Sequence, residues 1–204
     1  MIDDVGYSLY SRFLREAVST LNRSMSNGAA NEEKKQRLQQ EFAKFEVENS
    51  SNIEIDLQIP ALIPESWISS VSLRLTLYKR IAHAADSKAL YDLRKEMVDR
   101  FGAFPNSVNN LFKVGNIRLR AKRLGVRRLH VRQSRGRISF VEQPRINFAG
   151  IHRLIHEYSG VVRLNSSDSE INFSHRLLSG EKRVRSAMFV LDCLTPTDEI
   201  PLSS

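Results

Sequence analysis

The chain has 204 residues, 41% hydrophobic and 26% charged, which suits a soluble globular domain with extensions and excludes a low-complexity or collagen-like chain. Its single cysteine, Cys193, excludes an intrachain disulfide and a cysteine-based metal cage, and it fits a reducing compartment, so a cytoplasmic location is expected. Lys and Arg exceed Asp and Glu by 31 to 23, a formal net charge of +8, while no run approaches the roughly 18 apolar residues of a membrane span and Met1 leads into Ile2, Asp3 and Asp4 rather than into a signal sequence.

The first stretch, VGYSLYSRFLREAVSTL, spaces Leu9, Phe13 or Leu14, Ala17 and Leu21 as one face of a helix. Residues 23–52 begin and end with Ser, Asn and Gly around a short charged segment, Glu32 to Phe45, and read as a linker. In IEIDLQIPALIP, Ile53, Ile55, Leu57 and Ile59 alternate with polar residues until Pro60 and Pro64 end the ladder, which predicts an edge strand. SSVSLRLTLYKRIAHA fits both periods, but its length and lack of Gly or Pro favour a helix.

SKALYDLRKEMVDRFG predicts a helix capped by Ser87 and stopped at Gly102, with Leu90, Leu93, Met97, Val98 and Phe101 as its apolar stripe. At 100° per residue, Asp92, Lys95, Glu96 and Asp99 lie opposite that stripe and Arg100 lies on its flank. A further helix starts at Pro105 and Ser107 and runs through Leu111, Phe112, Ile117, Ala121 and Leu124 to Gly125, with Arg118, Lys122 and Arg123 expected on its exposed side. RRLHVRQ and RISFVE form a hairpin candidate around SRGR, where Gly136 is expected to take a positive φ. IHRLIHEYSG reads as a helix, VVRLN and EINFSH as a second hairpin, and SGEKRVRSAMFVLDCL as a final helix capped by Ser179. The expected fold class is α+β, a helical N-terminal half followed by two short β-hairpins alternating with helices.

Chemistry is sparse. There is no GxxxxGK[ST], GxGxxG or HExxH, so no nucleotide or zinc-protease site is expected and no catalytic residue is assigned. His152 and His156 have the i, i+4 spacing of metal ligands without an evident third, which favours a partly buried helical pair and no metal site. Asp92 and Glu96 on an exposed face lack the desolvation that would divide them into acid and base. Cys193 reads as a packing residue, and Trp67 as packing under the Pro64 loop.

From Phe101 to Val141 there is no Asp or Glu, whereas Lys113, Arg118, Arg120, Lys122, Arg123, Arg127, Arg128, Arg132, Arg135 and Arg137 all fall there. Such a field attracts nucleic acid or an acidic surface. Arg118, Lys122, Arg123, Arg127, Arg128, Arg132, Arg135 and Arg137 are the candidate contacts of a stand-alone nucleic-acid-binding module, with few interleaved aromatics, mainly Phe112 and Phe140.

In order and spacing, IEIDLQIPALIPESWI, LRLTLYKRIA, LRKEMVDRFGAFP and RLRAKRLGV resemble the C-terminal domain of the bacterial transcription-repair coupling factors, the Mfd family, and VGYSLYSRFLREAV resembles the segment leaving their second motor domain. The resemblance implies three parts: a motor-domain helix over 1–22, a linker over 23–52 and the family's C-terminal domain over 53–204. It implies a parent DNA translocase that displaces stalled RNA polymerase and recruits UvrA, with ATP and magnesium used in motor domains outside this chain and no cofactor within it. It further implies a non-catalytic, autoinhibitory cover over a UvrB-like module, whose interdomain contacts match Glu96, Asp99 and Arg100 here, with UvrA, RNA polymerase and DNA as indirect partners.

Overall fold

The computed structural model describes residues 53–157, 162–165, 170–174 and 179–196. The helix expected over 1–22 and the linker expected over 23–52 lie outside the described residues.

In chain order the elements are β1 (Glu54–Asp56), α1 (Val71–Ala82), α2 (Ser87–Phe101), α3 (Asn106–Arg123), β2 (Val126–Val131), β3 (Arg135–Phe140), α4 (Phe148–Glu157), β4 (Val162–Asn165), β5 (Glu170–Ser174) and α5 (Gly180–Leu194). This is the expected α+β arrangement, a helical part followed by hairpins alternating with helices. Both hairpins belong to one five-stranded sheet of order β1-β2-β3-β5-β4. β1 is its edge, as expected, although the strand ends at Asp56, before Pro60 and Pro64, and it pairs parallel to β2, whereas the other pairs are antiparallel.

Alternation decides which face of the sheet is covered. Ile55, Leu129, Ile138 and Ile171 stand in register across four strands and are all buried. Their core also contains Ile117, Ala121 and Leu124 of α3 and Val184, Ala187, Val190 and Leu191 of α5. A second core lies among the first helices, from Leu77, Tyr78 and Ile81 of α1, Leu90, Leu93 and Met97 of α2, and Val108 and Phe112 of α3. Helix α3 is thus the wall between two cores, and at 100° per residue its two apolar stripes lie on different sides. Leu111 and Leu119 lean on the helical core, and Val114 on the sheet core. Gly115 belongs to this wall, because a Cβ there would come within 3.3 Å of Leu90 on α2.

Residues 57–69 cross between the cores without joining the sheet. Their apolar side chains, Leu57, Ile59, Ala61, Ile63 and Ile68, are buried, so their peptide groups need partners other than water. Side chains supply several of them, and the Trp67 and Ile68 amides bond to the Pro64 carbonyl. Arg183 donates from Nε to the Leu57 carbonyl at 2.7 Å and from Nη2 to the Gln58 carbonyl at 2.8 Å. Arg74 donates to the carbonyls of Ile68 and Ser69, and Asn110 to that of Pro60. The Ile63 amide donates to the Tyr78 hydroxyl at 2.6 Å. At the start of the crossing Gln58 has φ +50°, stabilised by its amide donating to the Asp56 carboxylate.

Four local expectations change. The N-cap of α2 is Asp86, which accepts from the Ala89 amide at 2.7 Å, and Ser87 is the first helical residue. Val98 lies at the margin of the α2 stripe and is 41% exposed. Gly136 is a strand residue without positive φ; what requires glycine is the Phe173 ring, 1.9 Å from where a Cβ would stand. His152 and His156 are both exposed rather than partly buried.

Burial, opposed by the bond from the Ile63 amide, pushes Tyr78 up to about 12 from 10.0. The neutral hydroxyl is favoured in the fold, so its contribution to stability is whole below pH 10 and disappears as pH rises towards 12. Tyr78→Phe should lower unfolding free energy at neutral pH by about 1–3 kcal/mol, since it orphans the Ile63 amide. Urea denaturation at neutral pH and at pH 11 checks this: the gap between wild type and variant should narrow at the higher pH.

Candidate functional site

The outward side of α2 is fixed by what holds its other sides. Leu90, Leu93 and Met97 enter the helical core, and Arg94 donates to Asn109 of α3 at 2.9 Å while its guanidinium lies 5.2 Å from the Phe104 ring centroid. Trp67 donates its indole N–H to the Phe101 carbonyl at 3.1 Å and meets the rings of Phe101 and Phe104 edge-on. Gly102, at φ +79°, ends the helix with its amide on the Val98 carbonyl.

These contacts leave Glu96, Asp99 and Arg100 on the outer surface. Arg80, in the last turn of α1, grips Glu96 with two parallel bonds of 2.8 and 2.6 Å, and Arg100 adds a third at 3.2 Å from one turn along α2. The hydrogen bonds from Arg80, followed by the one from Arg100, hold the Glu96 carboxyl at about 2 rather than 4.5. The Arg100 guanidinium also rests 5.0 Å from the Phe101 ring centroid. Asp99 is exposed and has no ion partner among the described residues. Tyr91 is 65% exposed, but at 100° per residue it and Val98 lie on the far side of α2 from Glu96, so the face that carries Glu96, Asp99 and Arg100 is polar.

Arg80 was not singled out by the sequence. It is 16 residues from Glu96 on another helix, beyond any i, i+4 rule, and only the packing of α1 on α2 joins them.

The basic stretch separates into three groups. Arg128 and His130 share Glu54 at 2.9 Å each, Arg132 lies 3.4 Å from Asp56, Arg137 lies 3.3 Å from Glu170, and Arg120 pairs with Asp192. Arg118 is half-buried at the seam between the two stripes of α3, where burial lowers its affinity for its proton. Lys113, Lys122, Arg123, Arg127 and Arg135 are exposed without an ion partner among the described residues. Phe112 and Phe140 are buried and unavailable for stacking on bases. Among the described residues there is no group of three or more His, Cys, Asp or Glu able to hold a metal, and no helix long and apolar enough to cross a membrane.

The sequence profile of the TRCF domain family matches residues 57–151, which hold the crossing segment, α1, α2, α3 and the first hairpin. This chain carries a TRCF domain. It is similar to the transcription-repair-coupling factor of Haemophilus influenzae, 32% identical over 95% of this chain, and to that of Escherichia coli, 30% identical over 80%. The chain spans only 15% and 13% of the length of those two relatives. A crystal structure of the C-terminal domain of a transcription-repair coupling factor shares the fold, with a TM-score of 0.57 at 21% identity, over 70% of this chain and 91% of that one.

The depressed Glu96 value means that its ion pairs stabilise the TRCF domain fully above pH 4.5 and are lost as pH falls through about 2. In a carbon-detected NMR titration the Glu96 carboxyl should titrate near 2, and in Arg80→Gln it should move towards 4.5. A wild-type midpoint near 4.5 would show that the Arg80 grip does not persist in solution.

Proposed function

We propose that this chain is the C-terminal regulatory domain of a transcription-coupled repair translocase, covering the UvrA-binding face of a UvrB-like module within the same parent protein. The observation that carries this reading is the charged outer side of α2, where Glu96 is held between Arg80 and Arg100 and Asp99 projects beside them, in a chain that carries a TRCF domain. The names of its relatives place them in transcription-repair coupling, and a role in that process is the coarser form of the proposal.

The arrangement has the physical character of a releasable cover. Exposed ion pairs contribute roughly 0 to 1 kcal/mol each, and they set orientation and partner choice more than strength. The bidentate Arg80–Glu96 pair orders the face in advance, so docking loses little side-chain freedom. Asp99 and the free edge of Arg100 remain to meet charges of opposite sign. In this reading the chain contributes no catalytic group; ATP and magnesium act in motor domains elsewhere in the parent, and RNA polymerase, DNA and UvrA are reached only indirectly.

Substituting Glu96, Asp99 and Arg100 together by alanine in a parent protein that contains both modules should raise UvrA capture by about 5- to 150-fold while the closed form still dominates, matching a loss of ~1–3 kcal/mol of coupling. Pull-down with purified UvrA measures this, with a thermal melt of the 204-residue chain as the folding control. Unchanged capture by a normally folded variant would remove the assignment.

A further inference from the structure

The acid-free stretch of the sequence is partly neutralised once folded, because β1, β5 and α5 bring Glu54, Asp56, Glu170 and Asp192 to Arg128, His130, Arg132, Arg137 and Arg120. Of the cations left without an acid, Lys113, Arg118 and Arg135 stand apart, and Lys122, Arg123 and Arg127 gather at one corner. Lys122 and Arg123 are the last two residues of α3. Gly125, at φ +71°, then reverses the chain into β2, where the irregular register between Val126 and Arg128 leaves Arg127 as an extra, unpaired residue. The loop after β3 returns to this turn: the Val141 amide donates to the Gly125 carbonyl at 2.8 Å and the Arg145 amide to the Leu124 carbonyl at 3.2 Å. Arg145 thereby joins Lys122, Arg123 and Arg127, and all four side chains are exposed without an ion partner among the described residues. Within the two segments that meet here, residues 122–127 and 141–145, the acid is Glu142, and Asp192 of α5 is already held by Arg120.

We propose that Lys122, Arg123, Arg127 and Arg145 form a binding corner for the phosphate backbone of duplex DNA. The dipole at the end of α3 accounts for a cation at Lys122 or Arg123 but not for Arg127 or Arg145, which lie on a strand bulge and a loop. Three of the four are arginines, whose planar forks match phosphate oxygens. Phe112 and Phe140 are buried and cannot stack on bases, and the contact proposed for the four cations is to the backbone and independent of sequence. The site lies on the α3–β2 turn rather than on the outer side of α2, and the proposal stands or falls separately from the cover over the UvrB-like module.

The test is fluorescence anisotropy of the whole 204-residue chain with a labelled mixed-sequence duplex across a salt series. The corner variant is Lys122→Gln, Arg123→Gln, Arg127→Gln and Arg145→Gln; the control is Arg128→Gln with Arg137→Gln, two cations already paired. The corner variant should bind about tenfold or more weakly near 50 mM salt, and its log–log salt slope should flatten by about 3.6, that is 0.9 for each of four phosphates no longer neutralised. The control should stay within about threefold of wild type, because its cations release few counterions. If the fourfold variant melts early, Arg127→Gln and Arg145→Gln separately should each flatten the slope by about 1. The proposal is overturned if corner and control variants are weakened equally, if the corner variant binds as wild type does, or if polyglutamate displaces the duplex at lower charge concentration than unlabelled DNA does, which would mark an acidic protein as the partner.

Discussion

A buried segment outside a sheet must find hydrogen-bond partners for peptide groups that have lost water, and in residues 57–69 side chains supply several of them while the Trp67 and Ile68 amides turn back onto the Pro64 carbonyl. Arg183 reaches them from α5, Arg74 and Tyr78 from α1, and Asn110 from α3. Every helix that contributes is thereby fixed relative to the crossing segment. Each of these groups left unsatisfied would cost about 1–3 kcal/mol, a large share of a domain's net stability.

The segment and α3 together set the geometry of both candidate surfaces. Because α3 gives one stripe to each core, its position is determined from both sides, and α2 packs on it through Leu90 over Gly115 and Arg94 against Asn109. With α2 held in rotation, its one polar side faces outward, and the approach of α1 sets Arg80 against Glu96. The far end of α3 carries Lys122 and Arg123 to the turn where β2 begins. One rigid helix thus supports two polar surfaces of different character, a charge-balanced one and a cationic one.

Periodicity carried the local structure in the sequence: the stripe and glycine stop of α2, the final helix with Ser179 as its cap, and the two hairpins. Two adjacent cap-forming residues, Asp86 and Ser87, made the start of α2 ambiguous by one position, and Val98 sits where 100° steps leave the margin of a stripe undecided. What periodicity cannot encode is pairing across distance. The parallel union of β1 with β2 joins residues more than 70 positions apart, and the same closure brings Glu54 to His130. The basic stretch therefore looked like one continuous field, although its strand cations are mostly paired and Arg118 is half-buried. Gly136 shows the same limit, since the ring that requires it belongs to Phe173 on another strand. The outward placement of Glu96, Asp99 and Arg100 needed only one helix, and the sequence contained it.

The central claim is that the ordered charges on α2 hold a separate module by complementary electrostatics. Binding of this chain in trans to a purified UvrB-like module, measured by calorimetry with wild type and Asp99→Lys as ionic strength is raised through the range where the Debye length falls from about 30 Å to about 8 Å, tests it most directly. The account predicts that wild-type affinity declines with salt and that the charge reversal weakens binding most at low salt, so that the two curves converge. Equal affinity of the two proteins at every ionic strength, or a wild-type affinity indifferent to salt, would contradict it.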